Sequence, residues 1–449
     1  MGYCEEATGE TMSKLELGQL DESMTILAYV DLEEKFPVLD EATCLWLGHN
    51  FPGTKVTVKA DGGEAAKDSG TLKAGEVPLR ISDFPANLSH LVHVTPRLVR
   101  ELKKQGFSRF EVRQKTTEEV RLASVKEAAS LVKKVAQGAE TREAATTAVE
   151  DLMDNIAKGV TDLGQTKAMV DKIIENSYGN AMSAISSLKQ SDQTYAHCVD
   201  VGVIFFSVYR EIMRKKNKKS IFKDANEALL CAILHDVGKS KVKKEILEST
   251  KKYDRNGPEM QELQSHPTYS IDLIKGMGLP DYAVNMAAYH HVKVDSDNIS
   301  SYPQGFKFSD AIYEARLLAV VDIYQALIGR RSYKKSWSAP AAIRFIEALA
   351  GIELDEQVWK DFLEVMGYYP VGSLVELEDG NMGFVLTLPK GDLKKPALAV
   401  VRDAQGNLLK EHRVVDLAAD STAKIVKEHD PYEIFGEEAL NIFASLKPA

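Results

Sequence analysis

The residues best equipped for chemistry in this chain are imidazoles and carboxylates set singly into apolar helices. Ten histidines occur in the sequence, and five of them, His197, His235, His266, His290 and His291, fall between positions 197 and 291. The pattern centres on Leu229-Leu230-Cys231-Ala232-Ile233-Leu234-His235-Asp236-Val237-Gly238-Lys239, an apolar helical run ending on an adjacent His-Asp pair with a lysine just beyond. Burying an imidazole and a carboxylate is costly unless each finds a partner, and a shared cation supplies one. A lone His-Asp pair is more often a satisfied core histidine. This pair has company, because Asp322 lies in a second apolar helix, Ala315 to Ile328. Single polar residues projecting from several apolar helices fit a metal site inside a helical bundle. His197, His235, Asp236, His266, His290, His291 and Asp322 offer nitrogen and oxygen donors, with no thiolate, beyond the needs of one ion. They predict two divalent cations sharing a bridging carboxylate, a donor set that suits iron, manganese or zinc. Two metals about 3.5–4 Å apart activate a bridging water and clamp both oxygens of a phosphoryl displacement. Lys239 falls on roughly the helix face of Asp236 and could neutralise a phosphate oxygen as a point charge. The alternative for Lys239 is a solvated lysine at a helix end.

These residues need helices to hold them. Helical periodicity recurs at 168–189, 195–216, 224–234, 258–274, 280–290, 310–328 and 339–365, so residues 166–367 read as an almost wholly helical domain. Residues 1–23 read as a polar, disordered leader. Residues 24–114 mix strand and helix: Met24 to Asp31 and Lys55 to Lys59 as strands, 61–75 as a loop, Thr95-Pro96 opening a helix to Lys104, and Phe107 to Arg113 as a strand. His49, His90 and His93 form no convincing ligand set there, and the segment reads as a small α/β input or interaction domain. Residues 115–165 read as connecting helices, which either pair between two copies of the chain or lie on a neighbouring domain. After Gly367 short strands and turn signals take over, so 368–449 reads as a small antiparallel β unit with a terminal helix. The fold class expected is a multidomain α+β chain around an all-α bundle.

Composition narrows the classes. The net charge of −10 excludes a dedicated duplex nucleic-acid binder, and the hydrophobic 44% and charged 27% are those of a globular protein. No apolar run reaches the roughly 18 residues of a membrane span, and the acidic N-terminus lacks the apolar core of a secretory signal. Cys4, Cys44, Cys198 and Cys231 show neither metal nor disulfide spacing, and a reduced, cytoplasmic setting is expected.

The ordered set His197…His235-Asp236-x-x-Lys239…His266-Pro267…His290-His291…Tyr302-Pro303-x-Gly305…Asp322 resembles the HD-GYP branch of the HD superfamily of metal-dependent phosphohydrolases. The resemblance covers about residues 190–340 and also takes in Asp192, Tyr195 and Arg331-Ser332-Tyr333-Lys334. It implies a bacterial, all-helical phosphodiesterase that opens cyclic di-GMP. Asp236 would bridge the ions, a hydroxide between them would attack phosphorus, and Lys239, Tyr302, Arg316, Arg331 and Lys334 would meet the dinucleotide. Iron or manganese comes first for the metal, with zinc, magnesium or nickel as alternatives. The sequence departs from the pattern at three places. Ser301 replaces the glycine of Gly-Tyr-Pro, in a longer 292–301 loop, where a glycine would supply φ > 0 or a close approach. Gln193 stands where three-metal members carry Glu, which implies two ions and linear pGpG as product. Gln325 replaces the second Asp of Asp-x-x-Asp-Ala, removing a carboxylate from behind the ligands. The rival readings are a non-cleaving cyclic-dinucleotide receptor and a phosphohydrolase for another phosphoester such as cyclic GMP-AMP. A homodimer through 115–165 and a protein partner on the N-terminal domain complete the expectation. The lysine-rich runs 214–219 and 239–244 either steer an anionic substrate or are solvated surface.

Overall fold

The computed structural model describes residues 13–30, 32–60, 63–82, 93–160, 163–175, 185, 188, 194–247, 249, 251, 253–329, 336–387, 391–420 and 422–447. The chain divides into two compact units, Met1–Val120 and Arg121–Ala449.

The first unit is built on two antiparallel sheets. In one, Arg109–Gln114 lies between Ser13–Glu16 and Met24–Tyr29. In the other, Lys55–Ala60 lies between Gly63–Asp68 and Val77–Ser82. The alternating Lys55-Val56-Thr57-Val58-Lys59 run buries Val56 and Val58 on one face, as period-2 patterning requires. The helix Glu41–Asn50 starts on Asp40, whose carboxylate accepts the Thr43 N–H at 2.7 Å. Tyr29 anchors the core, edge-on to Phe51, Phe107 and Phe110. Two expectations are corrected. Ser13–Glu16, expected in the leader, is a strand because its backbone pairs with Arg109 to Val112. Residues 63–68, expected as loop, form the outer strand of a hairpin with Lys55–Ala60. Their side chains are almost all exposed, so backbone pairing alone makes that strand and no alternating pattern announces it. Residues 1–12 lie outside the described residues.

The second unit is a helical bundle that carries a sheet. The 41-residue helix Thr117–Ala157 begins at the end of the first unit and sends Leu131, Val135, Ala145, Val149, Leu152 and Ile156 into the bundle core. Those positions recur at helical three- and four-residue spacing. Then come Gly164–Glu175, Thr194–Lys216, Ala225–Ile233 with the tight 3-10 turns Leu234–Lys241, Pro258–Gln264, His266–Gly276, Asp281–Tyr289, Tyr313–Ile328, Ala339–Leu349 and Glu356–Met366. The periodic stretch 339–365 is two helices, because Gly351 turns at φ 78° and Asp355 caps the second one by accepting from Gln357 and Val358. Close approach at two glycines sets the site's frame. A Cβ on Gly202 would stand 2.5 Å from Ile233 Cγ1, so Thr194–Lys216 can press on Ala225–Ile233. A Cβ on Gly238 would stand 1.9 Å from the His266 carbonyl oxygen, so the turns bearing Asp236 can seat on His266–Gly276. Ser270 Oγ accepts the Gly238 N–H there at 2.9 Å.

The C-terminal sheet is five-stranded and antiparallel, in the order Val414–Asp416, Ala397–Arg402, Met382–Thr387, Leu374–Leu377, Ile425–His429. One face, with Leu374, Phe384, Leu386, Ala399 and Val401, joins the bundle core. The other, with Val375, Val385, Leu398 and Val400, makes a small core of its own. An all-α bundle, small N-terminal sheets and an antiparallel C-terminal sheet give the α+β class expected. Among the described residues no helix is long and apolar enough to cross a membrane.

Candidate metal centre

Five segments of the second unit bring the seven candidate ligands together. Thr194–Lys216 supplies His197 from its first turn. Ala225–Ile233 runs buried through Ile233, and the 3-10 turns that follow tighten the backbone and present His235 and Asp236. His266 opens His266–Gly276, His290 ends Asp281–Tyr289 with His291 next to it, and Asp322 projects from Tyr313–Ile328. His197, His235, Asp236, His266, His290 and Asp322 are all buried.

Their donor atoms form two groups that share Asp236: His197, His235 and Asp236, and Asp236, His266, His290 and His291. The sharing is resolved by oxygen. Asp236 Oδ2 lies 3.7 Å from His197 Nε2 and 3.3 Å from His235 Nε2, whereas Oδ1 lies 3.0 Å from His266 Nε2 and 3.7 Å from His290 Nε2. Asp322 spans the same divide, with Oδ1 2.9 Å from His197 Nε2 and Oδ2 3.9 Å from His291 Nδ1.

Hydrogen bonds behind the imidazoles define which atoms face inward. Nδ1 of His235, His266 and His290 lies 2.8, 2.7 and 2.8 Å from the carbonyl oxygens of Ala232, Leu263 and Ala287. A carbonyl only accepts, so each Nδ1 carries the hydrogen and each Nε2 presents a lone pair. Those lone pairs point at carboxylate oxygens and at one another, with His266 Nε2 and His290 Nε2 3.5 Å apart. His197 Nε2, His235 Nε2 and Asp236 Oδ1 are buried without a hydrogen-bond partner. Acceptors converging on acceptors in a dry pocket repel unless cations stand between them. The residues therefore fit divalent metal ions.

Charges agree with this. Burial alone would raise the Asp236 carboxyl, but Lys239, His235 and His266 hold it well below the usual carboxylate range. Burial opposes ionisation of Asp322 in the same way, and His197, His291 and His235 together outweigh it and hold the carboxyl well below the usual range. Burial lowers His266 and lowers His291 further, with His290 adding to the second effect. Lys239 Nζ donates to Asp236 Oδ2, and that carboxylate raises the ammonium against its burial. Tyr302 lies over His291 with ring centroids 4.4 Å apart and edge-on to His266 at 6.2 Å. Its hydroxyl is raised well above the ordinary value by burial, with Asp322 and Asp236 adding to it.

The remaining sequence candidates fall elsewhere. Arg316 sits six positions before Asp322, roughly 240° around and ~9 Å down the same helix. Its guanidinium donates to Asp355 at 3.0 Å and to the Ala311 carbonyl at 2.9 Å, and it lies over Phe308. That engagement braces the loop before the helix and does not bring Arg316 to the ligands. Arg331, Lys334, Asp192 and Gln193 lie outside the described residues. Ser301 needs no glycine: among the described residues only Asn217 has a positive φ without being glycine. Its buried hydroxyl accepts the Lys293 N–H at 3.1 Å and closes the 292–301 loop.

Gln325 does not leave His197 unsupported. Its Oε1 faces His197 Nδ1, its Nε2 donates to Asp200 Oδ2 at 3.2 Å, and Arg142 donates to both Asp200 oxygens at 2.7 and 2.8 Å. Asp200 and Arg142 escaped the sequence reading. Asp200 had a signal, being a lone carboxylate three positions after His197 on an apolar helix, whereas Arg142 lies on a separate helix with no motif around it.

Residues 180–358 match the family described as HD domain, and residues 374–437 match the KOW domain associated with HD domain. A cyclic di-GMP phosphodiesterase of Pseudomonas aeruginosa is 32% identical over 270 residues, 59% of this chain and 62% of that protein. A 3'3'-cGAMP-specific phosphodiesterase of Vibrio cholerae is 30% identical over 146 residues, 30% of this chain and 27% of that protein. The chain thus spans less than about two thirds of the length of these curated relatives. A solved structure described as an HDG"Y"P protein from Bdellovibrio bacteriovorus overlaps it at a TM-score of 0.40 and 14% identity, covering 70% of this chain and 94% of that one.

Proposed function

We propose that this chain, whose residues 180–358 carry the HD domain, is a metal-dependent phosphodiesterase that opens a cyclic dinucleotide, with cyclic di-GMP as the first substrate and linear pGpG as product. The carrying observation is the carboxylate of Asp236, whose two oxygens each face a different pair of imidazole nitrogens. His197 and His235 would hold one ion with Asp236, and His266, His290 and His291 the other, with Asp322 closing the ring. When bound, such a pair supplies an activated water and neutralises charge on the phosphate, and iron and manganese suit these donors best.

The chain's own residues do the rest. The backbone carbonyls behind His235, His266 and His290 keep Nε2 of these three aimed inward, so they are held in place before the reaction. Lys239 shares Asp236 Oδ2 in the structure and is within reach of a phosphate oxygen arriving beside it. Tyr302 packs on His291 and His266 and presents a hydroxyl that stays protonated at neutral pH. Arg331 and Lys334 remain part of the proposal as contacts to the guanines and phosphates. Arg316 contributes instead by bracing the loop in front of its helix.

Ser301 fits its position without strain, which favours the enzyme over the non-cleaving receptor. The Vibrio relatives favour a second substrate, 3'3'-cyclic GMP-AMP, attacked by the same centre. A homodimer along the 115–165 helices, a protein partner on the N-terminal unit and a cytoplasmic location belong to the same reading. The test is incubation of the full chain and Mn²⁺, or Fe²⁺ without air, with each dinucleotide, reading products by chromatography. Linear pGpG or its mixed counterpart, absent from Asp236→Ala, supports the reading. Intact substrate with two ions bound would move it to the receptor.

A further inference from the structure

The contacts behind His197 differ in kind from those behind the other ligands. A main-chain carbonyl three residues earlier orients His235, His266 and His290. His197 instead leans on a side-chain amide, which leans on a carboxylate, which is gripped by a guanidinium from a separate helix. Arg142, Asp200 and Gln325 are 3%, 1% and 5% exposed, so water cannot stand in for any link.

We propose that Arg142, Asp200 and Gln325 are positioning residues that hold His197 in its ligating form, so that the ion at the His197–His235–Asp236 group depends on a guanidinium carried by the helix Thr117–Ala157. The proposal rests on the metal reading above. A glutamine amide can face an imidazole with either end. With Oε1 forward it accepts from Nδ1–H and leaves Nε2 free to bind an ion. Turned over, its NH₂ would meet Nδ1, the ring would carry its hydrogen on Nε2, and the ligating lone pair would be lost. Asp200 decides between these, because both of its oxygens already accept from Arg142 and Oδ2 also accepts from the Gln325 NH₂, drawing that end of the amide to itself. Arg142 in turn fixes Asp200 in place, through two parallel hydrogen bonds in a buried setting. The same helix also touches the Asp236 segment, where Lys241 Nζ donates to the Ile156 carbonyl at 3.1 Å. A shift or rotation of this helix would withdraw Arg142 and unsettle one ion site before the other.

The experiment titrates Co²⁺ into the metal-free full chain, following visible absorption bands, stoichiometry by equilibrium dialysis and thermal melting. Three variants are compared with the wild type: Arg142→Met with Asp200→Leu, Gln325→Met alone, and Gln325→Glu with Asp200→Asn. The first two are expected to weaken one of two Co²⁺ equivalents by roughly 10–100-fold and shift its bands, with the other equivalent unchanged. The third moves the carboxylate one link along, keeps an acceptor in front of His197, and is expected to recover most of the lost affinity. A purely structural ion pair would lower the melting temperature of the first variant while leaving both equivalents as tight as in the wild type, and would leave Gln325→Met unaltered in metal binding; that result overturns the proposal. Should the first variant fail to fold, Gln325→Met, which keeps the ion pair, decides the matter by the same readout. A wild-type chain that binds no Co²⁺ would overturn the metal reading itself, and the proposal with it.

Discussion

The two halves of the candidate centre are built by different means. Around His266, His290 and His291 the support is local: turns of backbone behind His266 and His290 supply the acceptors, and the neighbouring ring of Tyr302 covers the outside. Around His197 the support is remote, assembled from Gln325, 128 positions away, and from Arg142, 58 positions before the Asp200 that it grips. Locally supported ligands come into place with their helix. The remotely supported one comes into place only when three helices have packed, so it is the half that a distant event can reach.

The largest effects should come from what the halves share. Asp236→Ala is expected to release ions from both and lower hydrolysis on the order of 10³-fold or more, since metal charge stabilisation accounts for several kcal/mol of the barrier. His197→Ala and His266→Ala should each lose one ion and keep the other, which metal analysis on the purified variants distinguishes. If both single variants lost both ions, the separation into halves would be wrong.

Lys239→Met comes next. It is expected to keep both ions and to reduce turnover by about 100-fold, the scale of losing one charged contact to a developing oxyanion. An unaltered kcat would return Lys239 to the role of a counterion for Asp236. Arg316→Lys should act outside both halves. It loses the forked contact to Asp355 and the Ala311 carbonyl, at about 1 kcal/mol of stability, with KM for the dinucleotide unchanged. A raised KM with intact stability would restore Arg316 to the substrate.

The candidate ligands and the shared carboxylate, though not their division into halves, were legible beforehand, for a physical reason. His235, Asp236 and Asp322 interrupt apolar helical runs, where an unpaired polar group is expensive, and His197, His266, His290 and His291 stand out by clustering around them in one helical block. The helices followed from three- and four-residue spacing, and Lys55–Ala60 from period-2 alternation. What stayed hidden depends on pairing between distant backbones or side chains. Gly63–Asp68 is a strand only because Lys55–Ala60 lies beside it. Arg142 looks like any helix-surface arginine until Asp200 is seen against it. Gln325 read as a missing carboxylate, whereas an amide held by Asp200 serves as the acceptor. Arg316 shares a helix with Asp322, yet the turn of that helix points it elsewhere.

The smallest effect expected serves as a control in the first unit. The Arg113 hydrogen bond lowers the Glu119 carboxyl to about 2, against some burial. A folded value below the ordinary one contributes stability that is complete above about 4.5 and is lost as pH falls towards 2. Glu119→Gln should flatten the stability profile of the chain in that window and leave both ion affinities alone, as acid titration followed by circular dichroism and a Co²⁺ titration at neutral pH can check.

The most direct measurement of the central claim, that one carboxylate joins both halves into a single centre, is electron paramagnetic resonance of the full chain loaded with two equivalents of Mn²⁺. The account predicts the broadened, exchange-coupled signal of an adjacent pair, collapsing when Asp236 is replaced by Ala. Two bound ions showing only the six-line pattern of isolated Mn²⁺ would contradict it.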